Sequence, residues 1–311
     1  MPTKFGYLLP TRELVMNGEP ATAPLLTWAE KSEGLGFDSI WVGDSLLAKP
    51  RHEPFTLLAA VAARTTDLSI GTAVLLPALR NPVVLAHLVA TVDRISTGRL
   101  ILGLGIAADA PSIRSEFAAA GVPWEKRVGR MMEGLRLCKA LWSGKKVDWD
   151  GRWKLSQTSL DMTPHRPEGP PLWGGGSAEG SLQRVGKYLD GWMPLGPNSE
   201  RIGKDWSKVQ QIAQNANRDP NGLTCSAYLT LSIDDDVETA NERLNAYLKK
   251  YYGPAALHMR KISACFAGPL SETPEWLNGF ITSGATHLIL RFAGDQDKHL
   301  EEFTKIQAKL R

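Results

Sequence analysis

Short apolar runs alternate with amphipathic segments along nearly the whole chain. Eight runs have the length of buried strands, and most of them are rich in Leu or in β-branched residues. They cover residues 4–10, 37–43, 68–76, 100–106, 172–175, 190–194, 225–233 and 286–292. Between them, apolar spacing and cap residues predict helices at 21–34, 54–65, 81–96, 111–142 (interrupted at 121–123), 178–186, 200–216, 236–250, 274–284 and 296–310. For the helix at 236–250, Asp234 or Asp235 is well placed as the cap.

This alternation predicts an α/β fold. The 311 residues, 43% of them hydrophobic, suit either one barrel or two ordinary domains. No GxGxxG motif opens the first unit, and no change of composition marks a second domain. We therefore expect a single (β/α)8 TIM barrel over residues 1–311. Residues 143–171 form an insertion before the fifth strand that contains a small hairpin, and 251–272 is a second irregular excursion near the substrate pocket.

Composition removes several classes of function. With 36 basic and 33 acidic residues spread along the chain, nothing indicates binding to nucleic acid or to a membrane. The N-terminal residues do not resemble a signal peptide, and Cys138, Cys225 and Cys265 lack C-x-x-C spacing. Because the three cysteines lack this spacing, we expect a cytoplasmic protein with reduced thiols. Since the six histidines are scattered singly, we expect no metal site.

The stretch LWGGGSAEG, residues 172–180, predicts a strand, three glycines, a serine cap and a helix. Glycines in this position expose backbone N–H groups, and the helix N-terminus adds a partial positive charge. Either Gly174–Gly176 form a site for a phosphate or another anion, or they only make a tight turn.

The other predicted strand ends supply few reactive groups, and in a barrel the active site lies at these ends. Asp44 is either a site carboxylate or a loop cap, and Arg291 either binds an anion or pairs with Asp295. Trp41, Trp173 and Trp192 lie inside strands and are expected in the core. Such a site suggests that a cofactor supplies the chemistry.

Several motifs, taken in order, resemble the luciferase-like flavin-dependent oxidoreductases. They are GFDSIWVGDS at 36–45, the stretches 68–107 and 117–144, PPLWGGGSAEGSLQRVGKYLDGWMP at 170–194, and GATHLILRFAG at 284–294. The resemblance covers nearly the whole chain and implies a barrel that binds FMN or the deazaflavin coenzyme F420. It also implies a homodimer.

The resemblance assigns roles to residues of this chain. It implies that the cofactor phosphate lies near Gly175, Gly176 and Ser177. The ring would rest against a bulge in the third strand, where Gly71 interrupts the apolar run, with a cis peptide bond at Thr72-Ala73 or Ala73-Val74. Residues 105–107, Gly105 to Ala107, would line the ring or the ribityl chain.

One position departs from the family pattern. Members commonly carry a His after an acidic residue at the end of the second strand, where this chain has Asp44 and Ser45. Either Ser45 hydrogen-bonds in its place, or another group such as His52 handles the proton, or no base is needed. We therefore take Asp44, Ser45 and Arg291 as the candidate catalytic residues.

Three functions remain open. The first is an FMN-dependent monooxygenase that takes reduced FMN from a separate flavin reductase and uses O₂ to oxygenate a small organic substrate. The second is an F420-dependent reductase or dehydrogenase; Lys145, Lys146, Arg152 and Lys154 are candidates to bind the polyglutamate tail of F420. The third is a family member that binds flavin without turnover.

Overall fold

The computed structural model describes residues 2–311. Its strands are β1 (Lys4–Leu8), β2 (Ser39–Val42), β3 (Ser69–Leu75), β4 (Leu100–Leu104), β5 (Val147–Asp150), β6 (Lys154–Thr158), β7 (Leu172–Gly175), β8 (Gly191–Met193), β9 (Thr224–Ile233), β10 (Ala264–Gly268) and β11 (His287–Phe292). Its α-helices are α1 (Thr11–Met16), α2 (Ala23–Gly34), α3 (Pro54–Arg64), α4 (Pro82–Ile95), α5 (Pro111–Ala119), α6 (Arg127–Trp142), α7 (Glu179–Tyr188), α8 (Ser199–Asn215), α9 (Val237–Tyr252), α10 (Ala256–Ile262), α11 (Thr273–Thr282) and α12 (Gln296–Gln307).

Eight parallel strands close into a ring in the order β11, β1, β2, β3, β4, β7, β8 and β9, which confirms the predicted (β/α)8 barrel. The ring closes where β8 pairs with the first residues of β9, Gly191 opposite Thr224 and Trp192 opposite Cys225. The far half of β9 pairs instead with β10, an extra strand outside the ring. The carboxyl ends of the ring strands are therefore where function is expected.

Residue contacts divide the chain into two compact units. The first unit comprises the chain up to Pro10, Ala23–Trp41 and Trp173–Arg311. In it, the rings of Trp41 and Trp173 lie 5.2 Å apart, and His287 packs edge-on against both. Burial lowers the pKa of His287 to about 3, so the imidazole is neutral and accepts or donates a single 2.7 Å hydrogen bond with Ser39 Oγ. These tryptophans are core residues, as expected.

The second unit comprises Thr11–Thr22 and Val42–Leu172. The Asn81 side chain accepts hydrogen bonds from the N–H groups of Val83 and Val84, so it is the predicted N-cap of α4. Trp142 of α6 donates to the Ala86 carbonyl of α4 at 3.0 Å. The insertion contains the predicted hairpin, formed by antiparallel β5 and β6.

The structure corrects three predictions in detail. The excursion at 251–272, predicted as irregular, contains α10 and β10. The cap of α9 is Asp236, whose side chain accepts from the Glu238 N–H, and not Asp234 or Asp235. The break in β3 lies between Thr72 and Leu75, after Gly71 and not at it. That residues 1–311 form a single domain stays a prediction.

No helix among residues 2–311 is long and apolar enough to cross a membrane.

Candidate functional site

The end of β3 carries the irregular backbone that the resemblance implied. The peptide bond between Ala73 and Val74 is cis, and the register with β4 shifts between Thr72 and Leu75. The Gly105 N–H donates to the Leu75 carbonyl at 2.8 Å. A Cβ on Gly105 would lie only 2.5 Å from Val74 Cγ2, so a glycine is needed there for the Val74 side chain to fit.

The residues of β3 and β4 that were predicted to contact the cofactor differ in how exposed they are. The Thr72 side chain is fully buried and its hydroxyl donates to the Gly103 carbonyl at 2.8 Å, which ties β3 to β4. Ala73 and Ala107 are half-buried, and Ala107 has a left-handed backbone with φ of 63°. Arg127 supports this turn by donating to the Ile106 carbonyl at 3.0 Å while it stacks on Trp124. Ala73 is thus more accessible to a ligand than Thr72.

The end of β7 has the backbone expected of an anion site. Gly176 is exposed and has φ of +89°, a conformation that suits glycine. A Cβ there would lie 3.0 Å from Ser181 Oγ. Gly174 has a different reason to be glycine, because its Cβ would meet Leu189 and Val185 of the packed helix. The tight-turn explanation thus applies to Gly174, while Gly176 is exposed and requires a left-handed backbone.

The helix that follows begins without a side-chain cap. We predicted Ser177 as the N-cap, but the N-cap is Ala178, and no side chain accepts from the first turn of α7. The Ser177 hydroxyl donates instead to the Leu195 carbonyl at 3.2 Å, and Trp192 Nε1 donates to the Gly176 carbonyl at 2.9 Å. The first turn of α7 therefore lacks a side-chain acceptor, although the Ser181 N–H donates to the Ala178 carbonyl at 2.7 Å.

One residue of this region was missed from the sequence. Arg184 lies in the second turn of α7, and its Nη2 donates to Ser181 Oγ at 2.9 Å. Helical side chains lean toward the N-terminus, so an arginine just after LWGGGSAEG was a usable signal.

At the end of β2, the Asp44 carboxylate is buried and hydrogen-bonded through both oxygens. Its side chain is 1% exposed and accepts two hydrogen bonds from Arg80, at 2.6 Å and 3.0 Å. It also accepts from the Leu76 N–H at 2.9 Å. Arg80 in turn contacts Glu53, which caps α3. Asp44 thus holds the loop after β3 in place.

Ser45 is engaged by a second buried carboxylate. Its hydroxyl donates to Glu116 Oε2 at 2.7 Å and accepts from the Lys49 N–H at 3.0 Å. Glu116 also accepts from the N–H groups of the loop at Leu46, Leu47 and Ala48. Although burial raises the pKa of Glu116, these hydrogen bonds lower it overall, so the carboxylate is ionised.

Arg291 is buried in a group of tyrosines. Its Nε and Nη2 both contact Thr230 Oγ1, and Nη1 donates to the Tyr252 hydroxyl at 2.9 Å. Four tyrosine rings surround the guanidinium at 5.0–5.5 Å, those of Tyr228, Tyr247, Tyr251 and Tyr252. Within residues 2–311, the ion pair with Asp295 is not formed, because that carboxylate caps α12.

His52 also lies in the loop after β2. It is half-buried, and its Nδ1 is buried without a hydrogen-bond partner among the described residues. Of the four basic residues named in the insertion, Arg152 pairs with Glu133 and Lys154 with Asp150, while Lys145 and Lys146 are exposed. No group of three or more His, Cys, Asp or Glu side chains in residues 2–311 is arranged to hold a metal.

Comparison with known proteins gives a family and several relatives. The family model described as luciferase-like monooxygenase matches residues 3–306. The F420-dependent glucose-6-phosphate dehydrogenase of Amycolatopsis mediterranei is 28% identical, covering 92% of this chain and 94% of that protein.

Two solved structures show the same fold. An F420-dependent secondary alcohol dehydrogenase in complex with an F420-acetone adduct has a TM-score of 0.85 at 22% identity and full coverage of both chains. The oxygenating constituent of 3,6-diketocamphane monooxygenase from Pseudomonas putida, in complex with FMN, has a TM-score of 0.79 at 16% identity, covering 100% of this chain and 98% of that one.

Proposed function

Because this chain belongs to the luciferase-like monooxygenase family, we propose that it is an oxidoreductase that binds coenzyme F420 and interconverts an alcohol and a carbonyl compound. A relative that matches over nearly its full length is an F420-dependent dehydrogenase, and this observation carries the choice of cofactor. The proposal favours the second of the three functions considered from the sequence.

The FMN-dependent monooxygenase is the second candidate, and the FMN-containing structural neighbour supports it. It would require O₂ and a separate flavin reductase as partners. The two candidates share a phosphate-bearing, flavin-like cofactor, so both are tested on the same residues.

The end of β7 fits the phosphate of either cofactor. The exposed Gly176, the neighbouring Ser177 and the start of α7, which has no side-chain cap, offer backbone N–H groups of a kind suited to phosphate oxygens. Gly175 is half-buried beside them. That Thr72, Ala73, Gly105 and Ala107 contact the ring system stays a prediction.

Bound F420 supplies the site that accepts or releases a hydride. When an alcohol is oxidised, its carbon loses the hydride and its hydroxyl proton must pass to a base. Since Asp44 and Ser45 are held by Arg80 and Glu116, we assign this proton to His52 Nδ1. An imidazole nitrogen without a hydrogen-bond partner can accept such a proton.

Titration with F420 and with FMN, followed by absorbance and fluorescence, tests the proposal. We expect saturable F420 binding and at least tenfold weaker FMN binding. Reduction of bound F420 by secondary alcohols, without O₂, would support hydride transfer. Binding of FMN alone, with a peroxyflavin spectrum after reduction and exposure to O₂, would replace the proposal with the monooxygenase. Cofactor binding without turnover of any alcohol or ketone would indicate the non-catalytic member.

Replacing His52 by Gln tests the proton assignment. A lost general base costs about 10²–10⁴-fold in rate, so kcat should fall by such a factor while F420 affinity stays unchanged. His87→Gln on α4 is the matched control. An unaltered kcat in His52→Gln would show that another group takes the proton.

The homodimer also stays a proposal. Val84, Leu88 and Ile95 are exposed along α4 and offer an apolar stripe to a second copy of this chain. Sedimentation velocity on wild type and on Leu88→Glu measures the oligomeric state directly.

A further inference from the structure

Arg291 is a buried cation without a carboxylate partner. The residue is 1% exposed, and among residues 2–311 it forms no ion pair. Its hydrogen bonds go to two hydroxyl groups, those of Thr230 and Tyr252. A guanidinium cannot lose its proton, and a buried charge without an opposite charge is costly. Such a residue is therefore a candidate for binding an anion.

The groups around this guanidinium are neutral. Burial raises the pKa of the Tyr252 hydroxyl and of the Cys265 thiol, so neither carries a negative charge at neutral pH. The four tyrosine rings attract the guanidinium through their π electrons but do not neutralise it. The Arg291 cluster, which comprises Arg291, Thr230, Cys265 and these tyrosines, therefore keeps a positive charge.

Three adjacent strands place this cluster on the interior face of the barrel. In the sheet register, Arg291 of β11 lies beside Thr230 of β9, and Thr230 lies beside Cys265 of β10. Arg291 shares its face of β11 with His287, which packs against two core tryptophans inside the ring. Since β11 ends one residue after Arg291, the guanidinium lies at the carboxyl end of the strand, where barrels bind substrates.

A second polar group on this face has no partner. Ser263 is 2% exposed, and its Oγ has no hydrogen-bond partner among the described residues. Its backbone is extended, with φ of −116° and ψ of 139°, and it lies two residues before Cys265, so the two side chains share a face. A buried hydroxyl without a partner costs free energy, which an acceptor on a ligand would offset. Ser263 is thus an independent sign that this face binds a polar ligand.

Tyr252 is the member of the cluster that a ligand displaces most easily. Thr230 is fully buried within β9, whereas Tyr252 is half-buried and is the last residue of α9. Gly253 follows with φ of 58°, and α10 beyond it contains no buried residue, so little packing holds this end of α9. An anion that replaces the Tyr252 hydroxyl on Nη1 gains a charge-assisted hydrogen bond.

We propose that Arg291 binds a carboxylate of the substrate, so that the substrate is a hydroxy acid or an oxo acid. The inference rests on the proposed oxidoreductase function and names the class of its substrate. The planar guanidinium matches the two oxygens of a carboxylate, and one negative charge balances its one positive charge. The carboxylate takes no part in the reaction. The carbon that bears the hydroxyl gives a hydride to F420, and the hydroxyl proton passes to the base.

Isothermal titration calorimetry with pyruvate and levulinate, each compared with its uncharged methyl ester, tests the proposal with and without saturating F420. We expect wild type to bind an oxo acid at least tenfold more tightly than its ester. Lys249→Met, at an exposed position of α9, is the matched control and should behave like wild type. Arg291→Met should lose the difference and leave ester binding unchanged, with Arg291→Lys between. Equal affinities of wild type for acids and esters, or a difference retained in Arg291→Met, would overturn the proposal.

Tyr252→Phe tests the same site without removing the buried charge, and it decides the question if Arg291→Met does not fold. Loss of the competing hydroxyl frees Nη1, so this variant should bind the oxo acid at least twofold more tightly than wild type and the ester equally well. Unchanged or weaker binding of the acid would contradict the proposal.

The calorimetric result separates this inference from the proposed function. If wild type binds neither F420 nor FMN, the proposed function fails, while acid-specific binding that requires Arg291 still supports the carboxylate site. If neutral alcohols reduce bound F420 but acids bind no better than esters, the carboxylate site fails and the proposed function stands. Tighter binding of inorganic phosphate than of levulinate would also overturn the carboxylate assignment.

Discussion

The ends of β2 and β7 both carry polar groups after an apolar strand, but these groups differ in what they already bind. At the end of β2, the Asp44 carboxylate accepts from Arg80 and Leu76, and the Ser45 hydroxyl is bonded to Glu116. At the end of β7, the first turn of α7 has no cap and Arg184 has no acidic partner among the described residues.

A structural polar cluster and a functional one differ in whether their polar groups already have partners inside the protein. A buried carboxylate with every oxygen occupied has its desolvation compensated inside the protein, and removing it is costly. At the start of α7, the helix has no side-chain cap and the Arg184 guanidinium has no acidic partner among the described residues. A bound anion can use these donors. The β2 variants should therefore lose stability, and the β7 variants should lose ligand.

The largest effect is expected for Asp44→Ala. Removing Asp44, the buried partner, leaves Arg80 with only its 3.2 Å contact to the exposed Glu53, and breaking a buried ion pair in this way costs about 3–5 kcal/mol. Urea denaturation monitored by tryptophan fluorescence measures the free energy of unfolding. Asp109→Ala, which removes an exposed partner of Arg114, should leave the midpoint unchanged. Weaker cofactor binding at full stability would instead make Asp44 a site residue.

Glu116 should show its role in the pH dependence of stability. Its folded pKa lies below the ordinary value of 4.5, so its contribution is complete above that value and is lost as the pH falls through the folded pKa. Glu116→Gln should be less stable by about 1–3 kcal/mol at neutral pH because Gln presents an NH₂ to backbone donors. It should also lose less stability than wild type between about pH 5 and pH 3. Parallel curves for the two proteins would contradict this account.

Gly176→Asp tests whether the end of β7 binds the cofactor phosphate. A carboxylate at this exposed turn should repel the phosphate and lower F420 affinity at least tenfold, although the strained backbone costs some stability. Gly176→Asn, which tolerates positive φ, is the uncharged control and should bind more tightly than Gly176→Asp. Equal affinities of wild type and Gly176→Asp would place the phosphate elsewhere.

Ser45→Ala is expected to lower stability without affecting proton transfer. It removes the hydrogen bond to Glu116, worth about 1.5–3 kcal/mol for a charged partner, and leaves the pH profile of kcat unchanged. A shifted profile would restore Ser45 as a proton-handling residue.

The smallest effect is expected for Lys154→Ala. Because Lys154 is exposed and pairs with Asp150, its loss should change neither stability nor the salt dependence of F420 binding. If affinity for F420 falls while affinity for FMN does not, this hairpin binds the polyglutamate tail after all.

The sequence predicted the barrel because each ring strand is a buried apolar run bounded by helix signals. It also located the glycine turn, since a strand, three glycines and a helix follow one another directly. It could not reveal the partners of Asp44 and Ser45, because Arg80 and Glu116 lie 36 and 71 positions further along the chain. Only the fold determines which distant side chain reaches a given carboxylate.

The same limit applies to local detail. The Ser177 hydroxyl was predicted to accept from the first turn of α7, but it donates to the Leu195 carbonyl, and that bond depends on how the loop after β8 folds. Arg184 was overlooked because a long side chain on an exposed helix has many rotamers. Its hydrogen bond to Ser181 shows which one the packed structure selects.

Strand β9 pairs with β8 at its start and with β10 at its end. The pairs that close the barrel are therefore separate from the segment in which the chain can vary in length. Thr224 and Cys225 complete the ring, and the strand then continues to Ile233 with β10 at its side. Residues from Val237 to Gly268 are attached beyond the closing pairs. Insertions and deletions there leave the ring pairs intact, so we expect homologues to diverge in length in this segment while they keep the Gly191–Thr224 pairing.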